Sequence, residues 1–204
     1  MNRFLIALLS VFLWQSQALA QSDEVPKFEV AAEFTTLERD NFSGKRTEPG
    51  FGGRFTYNLN SVFSLETAGY FFPKRCFGCR NNGNVTEVLG GVKVGKRFEN
   101  WGIFAKARPG VVSFSEGKFD IISGSSPFEL KTNRLNSFAA DLGGVVEFYP
   151  SKRIVTRFDA GDTIIHFKRS DIPIFSINST IIPFPVPART SHNFQFMASV
   201  GFRF

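Results

Sequence analysis

Cys76 and Cys79 in "KRCFGCRNNG", with the only histidines, His166 and His192, are the side chains of this 204-residue chain best suited to redox, metal or acid–base chemistry. A C-x-x-C pair can be a dithiol redox centre, half of a zinc site, or a disulfide that staples a loop. The redox use opens a helix of an α/β unit, and no such pattern surrounds this pair. Zinc needs two more ligands, and no second C-x-x-C or histidine pair lies close in sequence. One small disulfide between Cys76 and Cys79 is therefore expected, provided the compartment is oxidising. Free-thiol labelling of the folded, unreduced protein should find no reactive cysteine, whereas two labelled thiols would restore the metal and redox uses. His166 and His192 flank residues 168–191, so on paired strands they would be neighbours. A metal or acid–base pair is the chemistry they offer there; two interfacial histidines beside a loop is the simpler reading and the one adopted. No G-x-S-x-G, phosphate-binding loop, zinc spacing or dinucleotide fingerprint occurs. No catalytic, cofactor or metal-binding residue is assigned, and no enzyme activity is expected.

The compartment is read from "MNRFLIALLSVFLWQSQALA": one positive charge at Arg3, an apolar run from Phe4 to Trp14, and small residues at its end. This is the pattern of a secretory signal, expected to be cut after Ala20. The apolar run falls short of the ~20 residues of a spanning helix. Residues 21–204 then form one exported domain, and the formal charge drops from +6 to +5 with the loss of Arg3. The modest basic excess is scattered, which together with export argues against nucleic acid as a partner. Phe is used heavily, 26 times against 3 Tyr and 2 Trp, yet mean hydropathy is close to zero. Strands with one apolar and one polar face produce this combination.

Such alternation recurs in eight segments separated by turn signals. The last, "NFQFMASVGFRF", places Phe194, Phe196, Ala198, Val200, Phe202 and Phe204 on one face. The seventh, "IVTRFDAGDTIIHF", sets Asp162 on the apolar face, which predicts a bulge or a membrane boundary there. Connections alternate in length: residues 38–50, 73–84, 115–134 and 168–191 are long, while 59–61, 99–101 and 150–153 are short. Long loops on one side and short turns on the other distinguish a membrane barrel from a soluble sandwich. The expected fold is all-β: an eight-stranded antiparallel transmembrane β-barrel with four long outer loops and three short periplasmic turns. Both termini lie on the turn side.

With the signal peptide, eight alternating segments, loop asymmetry and terminal "VGFRF" in place, the chain resembles the small outer-membrane β-barrel family that includes OmpA and OmpX. The resemblance implies the bacterial outer membrane and its lipid bilayer as surroundings. It also implies a C-terminal aromatic pattern read by the barrel assembly machinery, matched here by Phe196, Val200, Phe202 and Phe204. The polar faces would line the lumen. Their acids are Glu29, Glu33, Glu66, Glu87, Asp141, Glu147 and Asp159; their bases are Arg54, Lys93, Arg97, Lys106, Arg108, Arg157 and Arg203. Seven against seven reads as a salt-bridge plug, since a selective ring carries an excess of one sign.

The fourth long loop holds four prolines and the apolar residues Ile174, Phe175, Ile181, Ile182 and Phe184. Such a loop is expected to cover the rim, to meet lipid headgroups or to contact a surface partner. The expected role is structural or surface-interacting, without a cofactor. The alternatives are a small-molecule conduit or binder of the OmpW-like kind and a lipid-modifying enzyme at the rim.

Overall fold

A computed structural model of the protein describes residues 25–41, 44–73, 83–123, 126–132, 134–175 and 181–204, with side chains omitted at 40–41, 117–132 and 170–186. Its twelve strands are β1 (Phe28–Asn41), β2 (Gly44–Asn58), β3 (Phe63–Phe72), β4 (Val85–Arg97), β5 (Trp101–Phe114), β6 (Gly117–Ser123), β7 (Ser126–Thr132), β8 (Leu135–Phe148), β9 (Ile154–Phe167), β10 (Ser170–Phe175), β11 (Ile181–Val186) and β12 (Arg189–Arg203). Eight of them close a barrel in the order β1-β12-β9-β8-β5-β4-β3-β2. All neighbours are antiparallel, and β1 joins β12 from Glu29↔Arg203 to Leu37↔Gln195. Closure satisfies the backbone groups that an open edge would leave unpaired in lipid.

Polar side chains close the short turns. Asn60 Oδ1 accepts from the backbone N–H groups of Val62 and Phe63, both at 2.8 Å. Ser151 Oγ accepts likewise from Ile154 at 3.1 Å. In the turn between β4 and β5 the Phe98 and Trp101 rings stack 4.3 Å apart. These short connections, the start of β1 and the C-terminal Phe204 lie at one end of the barrel. Phe28 and Phe204 exchange backbone hydrogen bonds there, each 2.9 Å long.

Strict alternation places apolar side chains outside. Phe34, Phe51, Phe138 and Phe194 are exposed toward the outer end, and Phe28, Trp101, Phe148, Phe202 and Phe204 toward the turn end. Two aromatic girdles enclosing an apolar band are what a bilayer-spanning barrel presents to lipid. Ten residue steps separate Phe194 on β12 from Phe204 just past its end. At ~3.3 Å per step and a tilt of about 40°, that run climbs ~25 Å, the height of the apolar band of outer-membrane barrels.

The outer connections depart from plain loops. Pairing of β1 with β2 continues to Asn41↔Gly44, so most of 38–50 is hairpin rather than loop. Gly44 has φ 126°, a left-handed conformation that glycine adopts without strain. Short hairpins β6-β7 and β10-β11 occupy much of 115–134 and 168–191. Asp162 shows no bulge: its register with Phe194 and with Leu142 is uninterrupted. It stands at the upper edge of the apolar band. Cys76 and Cys79 lie outside the described residues.

Candidate functional site: the lumen and the outer rim

Alternate residues of eight strands converge inside, and the polar ones fill the turn-side and middle levels of the lumen. Arg157 on β9 is the hub. Its Nε donates to Asp159 Oδ1 at 2.5 Å and its Nη2 to Asp159 Oδ2 at 2.7 Å. Nη1 pairs with Glu66 Oε1, and Nη2 reaches Glu66 Oε2 at 3.2 Å. A guanidinium forks its donors in one plane, so a single arginine can hold two carboxylates. Glu66 also meets Arg54 at 3.2 Å and Lys93 at 3.6 Å, and Lys93 pairs in turn with Glu147. Arg54 Nε donates to Glu33 at 2.9 Å, and the Tyr70 hydroxyl donates to the other oxygen of Glu33.

Register explains a second group. Arg108 on β5 lies directly opposite Asp141 on β8, and its Nε and Nη2 reach Asp141 Oδ2 at 2.9 Å and 2.5 Å. Lys106, two residues earlier and therefore on the same face, meets Asp141 at 2.9 Å and Asp159 at 3.2 Å. Toward the turn end, Arg97 approaches Glu29 at 3.6 Å while Asn58 donates to Glu29 at 2.9 Å. Arg203 caps this level, its guanidinium 4.3 Å from the Tyr149 ring centre and its Nη2 3.2 Å from the Ser151 carbonyl oxygen. Glu87 stands apart, accepting from Gln195 Nε2 at 2.9 Å. All fourteen ionisable residues named from the sequence face inward; twelve of them form ion pairs in the described structure, and Glu87 and Arg203 are held by other contacts.

Sequence reading missed one pair and one layer. Arg39 and Glu48, both buried, pair at 2.8 Å on the extension of β1 and β2 above the expected strand ends. Their surroundings, "ERDNFSGKRTEPG", are polar on both faces, so period two carries no contrast there. The layer is apolar: Leu37, Phe72, Val85, Phe114, Ile165 and Phe167 are buried together inside the outer end of the barrel. "YFF" at 70–72 holds aromatic residues on both faces of β3, which hides the inward one from alternation.

The two histidines sit on the outer face of β9 and β12. His166 Nδ1 lies 3.1 Å from Thr190 Oγ1, and His192 Nδ1 lies 2.5 Å from Asp162 Oδ2. By register His166 faces Thr190 and His192 faces Ile164, so the two histidines are diagonal neighbours on one face of β9 and β12, as expected from the sequence. Phe196, Val200 and Phe202 on β12, and Phe204 just past its end, are all exposed on the outer face.

No family model matches the chain. No curated protein matches its sequence. Solved structures do. It superposes on Neisserial surface protein A (NspA) with a TM-score of 0.50 at 12% identity, over 87% of this chain and 97% of that one. It superposes on the outer membrane protein OprG from Pseudomonas aeruginosa with a TM-score of 0.52 at 9% identity, over 90% of this chain and 98% of that one. At such identities the likeness is one of fold, and the apolar outer band agrees with it: the chain has the fold of small eight-stranded antiparallel outer-membrane β-barrels.

Proposed function

We propose that this barrel is a closed, non-catalytic element of the outer membrane that acts structurally or through surface contacts of its outer loops. The observation that carries this reading is the lumen itself. An eight-stranded barrel has interior room for little more than its own side chains. Here that room is taken by a connected set of ion pairs beneath an apolar layer. Both levels oppose a continuous water path, the first by filling the space with paired charge and the second by excluding water. The outward aromatics at Phe196, Phe202 and Phe204, with Val200, support recognition of β12 by the barrel assembly machinery.

Single-channel recording in planar bilayers tests the closed lumen. The wild-type protein is expected to give no steady conductance above the bare membrane. Large, sustained openings would instead support a small-molecule conduit.

A further inference from the structure

Among the acids of the lumen, Glu87 breaks the charge balance. The others each lie in an ion pair, whereas no cation pairs with Glu87 among the described residues. Its side chain is fully buried on β4. Oε2 accepts a hydrogen bond from Gln195 Nε2 at 2.9 Å, and Oε1 has no partner. Gln195 is itself fully engaged: the same Nε2 donates to Thr35 Oγ1 at 3.1 Å, and its Oε1 accepts from Thr163. All of these partners are neutral.

Register explains why no cation reaches this carboxyl. Val85 and Leu89 flank it on the inward face of β4, with Val112 opposite on β5 and Tyr70 opposite on β3. All four belong to the apolar layer. The charged groups around that layer are committed to one another. Arg108 and Lys106 on β5 hold Asp141 of β8 at 2.5 Å and 2.9 Å. Arg39 on β1 holds Glu48 of β2 at 2.8 Å, and Arg54 on β2 holds Glu33 of β1 at 2.9 Å. The Tyr70 hydroxyl donates to Glu33. Deeper in the lumen, Arg157 on β9 binds Asp159 and Glu66 of β3.

An ionised Glu87 would be a buried charge with one hydrogen bond and no counter-ion, within range of the like charge on Asp141. Burial and a neighbouring negative charge both disfavour ionisation. The acid form needs only one acceptor for its proton. On β8, Asp141 Oδ1 and Ser137 Oγ are buried oxygens without hydrogen-bond partners, and Ser137 lies on the rung of Glu87, across Val112. We propose that Glu87 is a proton-binding site: the folded barrel holds it as a neutral carboxylic acid, and that proton locks the apolar layer at the outer end. A glutamate of the unfolded chain is ionised above about pH 5. Folding then takes up one proton here, so this contribution to stability falls as pH rises. The inference holds whether or not the lumen conducts.

Two measurements on the folded protein in detergent micelles test it. Infrared spectroscopy at about pH 6 should show the carbonyl band of a protonated carboxyl in wild type and not in Glu87→Gln. Urea titrations between about pH 5 and about pH 8 should diverge, the wild-type unfolding constant rising relative to that of Glu87→Gln by up to about tenfold per pH unit. Glu87→Gln keeps the shape and neutrality of the acid and should be at least as stable as wild type at the alkaline end. Glu147→Gln, which strips Lys93 of its carboxylate, should lose stability at every pH. No protonated-carboxyl band, parallel pH dependences, or equal losses from the two glutamine substitutions overturns the assignment. Heat-modifiable gel mobility reports folding of each variant. If Glu87→Gln does not fold, Glu87→Asp takes its place: the band must shift, and an unshifted band belongs to another carboxyl and overturns the site.

Discussion

Replacing Arg157 with alanine is expected to destabilise the folded barrel by about 3–5 kcal/mol, the range for removing one partner from a buried ion pair. Arg157 is only 1% exposed. It is the side chain that holds Glu66 and Asp159 together. Without it, Asp159 keeps Lys106 at 3.2 Å, and Glu66 keeps Arg54 at 3.2 Å and Lys93 at 3.6 Å. Two carboxylates then share fewer cations in a space too small to solvate them freely. Urea titration of the refolded protein in micelles measures the loss. Arg157→Ala combined with Asp159→Ala should recover part of it, because the second substitution removes one of the stranded carboxylates. A loss below about 1 kcal/mol would match exposed rather than buried pairs and place water throughout the lumen. The same variant should pass ions in a planar bilayer where wild type does not.

The second large effect is expected in cells rather than in the test tube. Deleting Phe204, or changing it to alanine, should lower the membrane-inserted fraction several-fold, far more than an equivalent trim in an outer connection. The two variants separate backbone from side chain. Deletion removes the pair of 2.9 Å hydrogen bonds with Phe28, whereas Phe204→Ala leaves them in place. Phe204 is 59% exposed and its ring sits 5.8 Å from that of Phe28, so within the protein it makes few contacts and its contribution to folding comes mainly from lipid or detergent. Refolding of Phe204→Ala from urea into micelles should therefore lose only that interfacial contribution, a smaller effect than the loss of insertion in cells. Cell fractionation beside that refolding experiment decides the matter. Unchanged insertion would remove the recognition role from the ring, and a matching refolding defect would show that the ring acts through stability.

The strands were legible wherever one face differs from the other. "NFQFMASVGFRF" and "VTEVLGGVKVGKRF" each alternate so plainly that inward and outward residues can be read directly, and Glu87, Lys93 and Arg97 follow from the latter. What escaped has a physical reason in each case. Polar residues on both faces hid the continuation of β1 and β2 that buries Arg39 and Glu48. Apolar residues on both faces hid the layer around Phe72. Partner choice inside the lumen was only half legible. Arg108 with Asp141 follows from adjacent strands, but Arg157 with Glu66 spans the interior between β9 and β3, which are not neighbours in the sheet. No one-dimensional pattern records a contact across a barrel. Asp162, a charge on an apolar face, called for either a bulge or a membrane boundary; the uninterrupted register removes the bulge.

Joining β1 to β12 has a further consequence for how the chain reaches this state. Glu29 pairs with Arg203, so the first barrel strand waits for nearly the last residue before its second neighbour exists. Contacts between such distant segments carry a high loop-closure cost and slow the search for the native topology. Until they form, a seven-stranded sheet has two raw edges, each able to recruit a strand from another molecule. Emerging N-terminus first, the polypeptide holds an aggregation-prone template until β12 has been made. Its survival to insertion therefore depends on being kept unfolded and escorted, and the escort can hand it over only once β12 has been made.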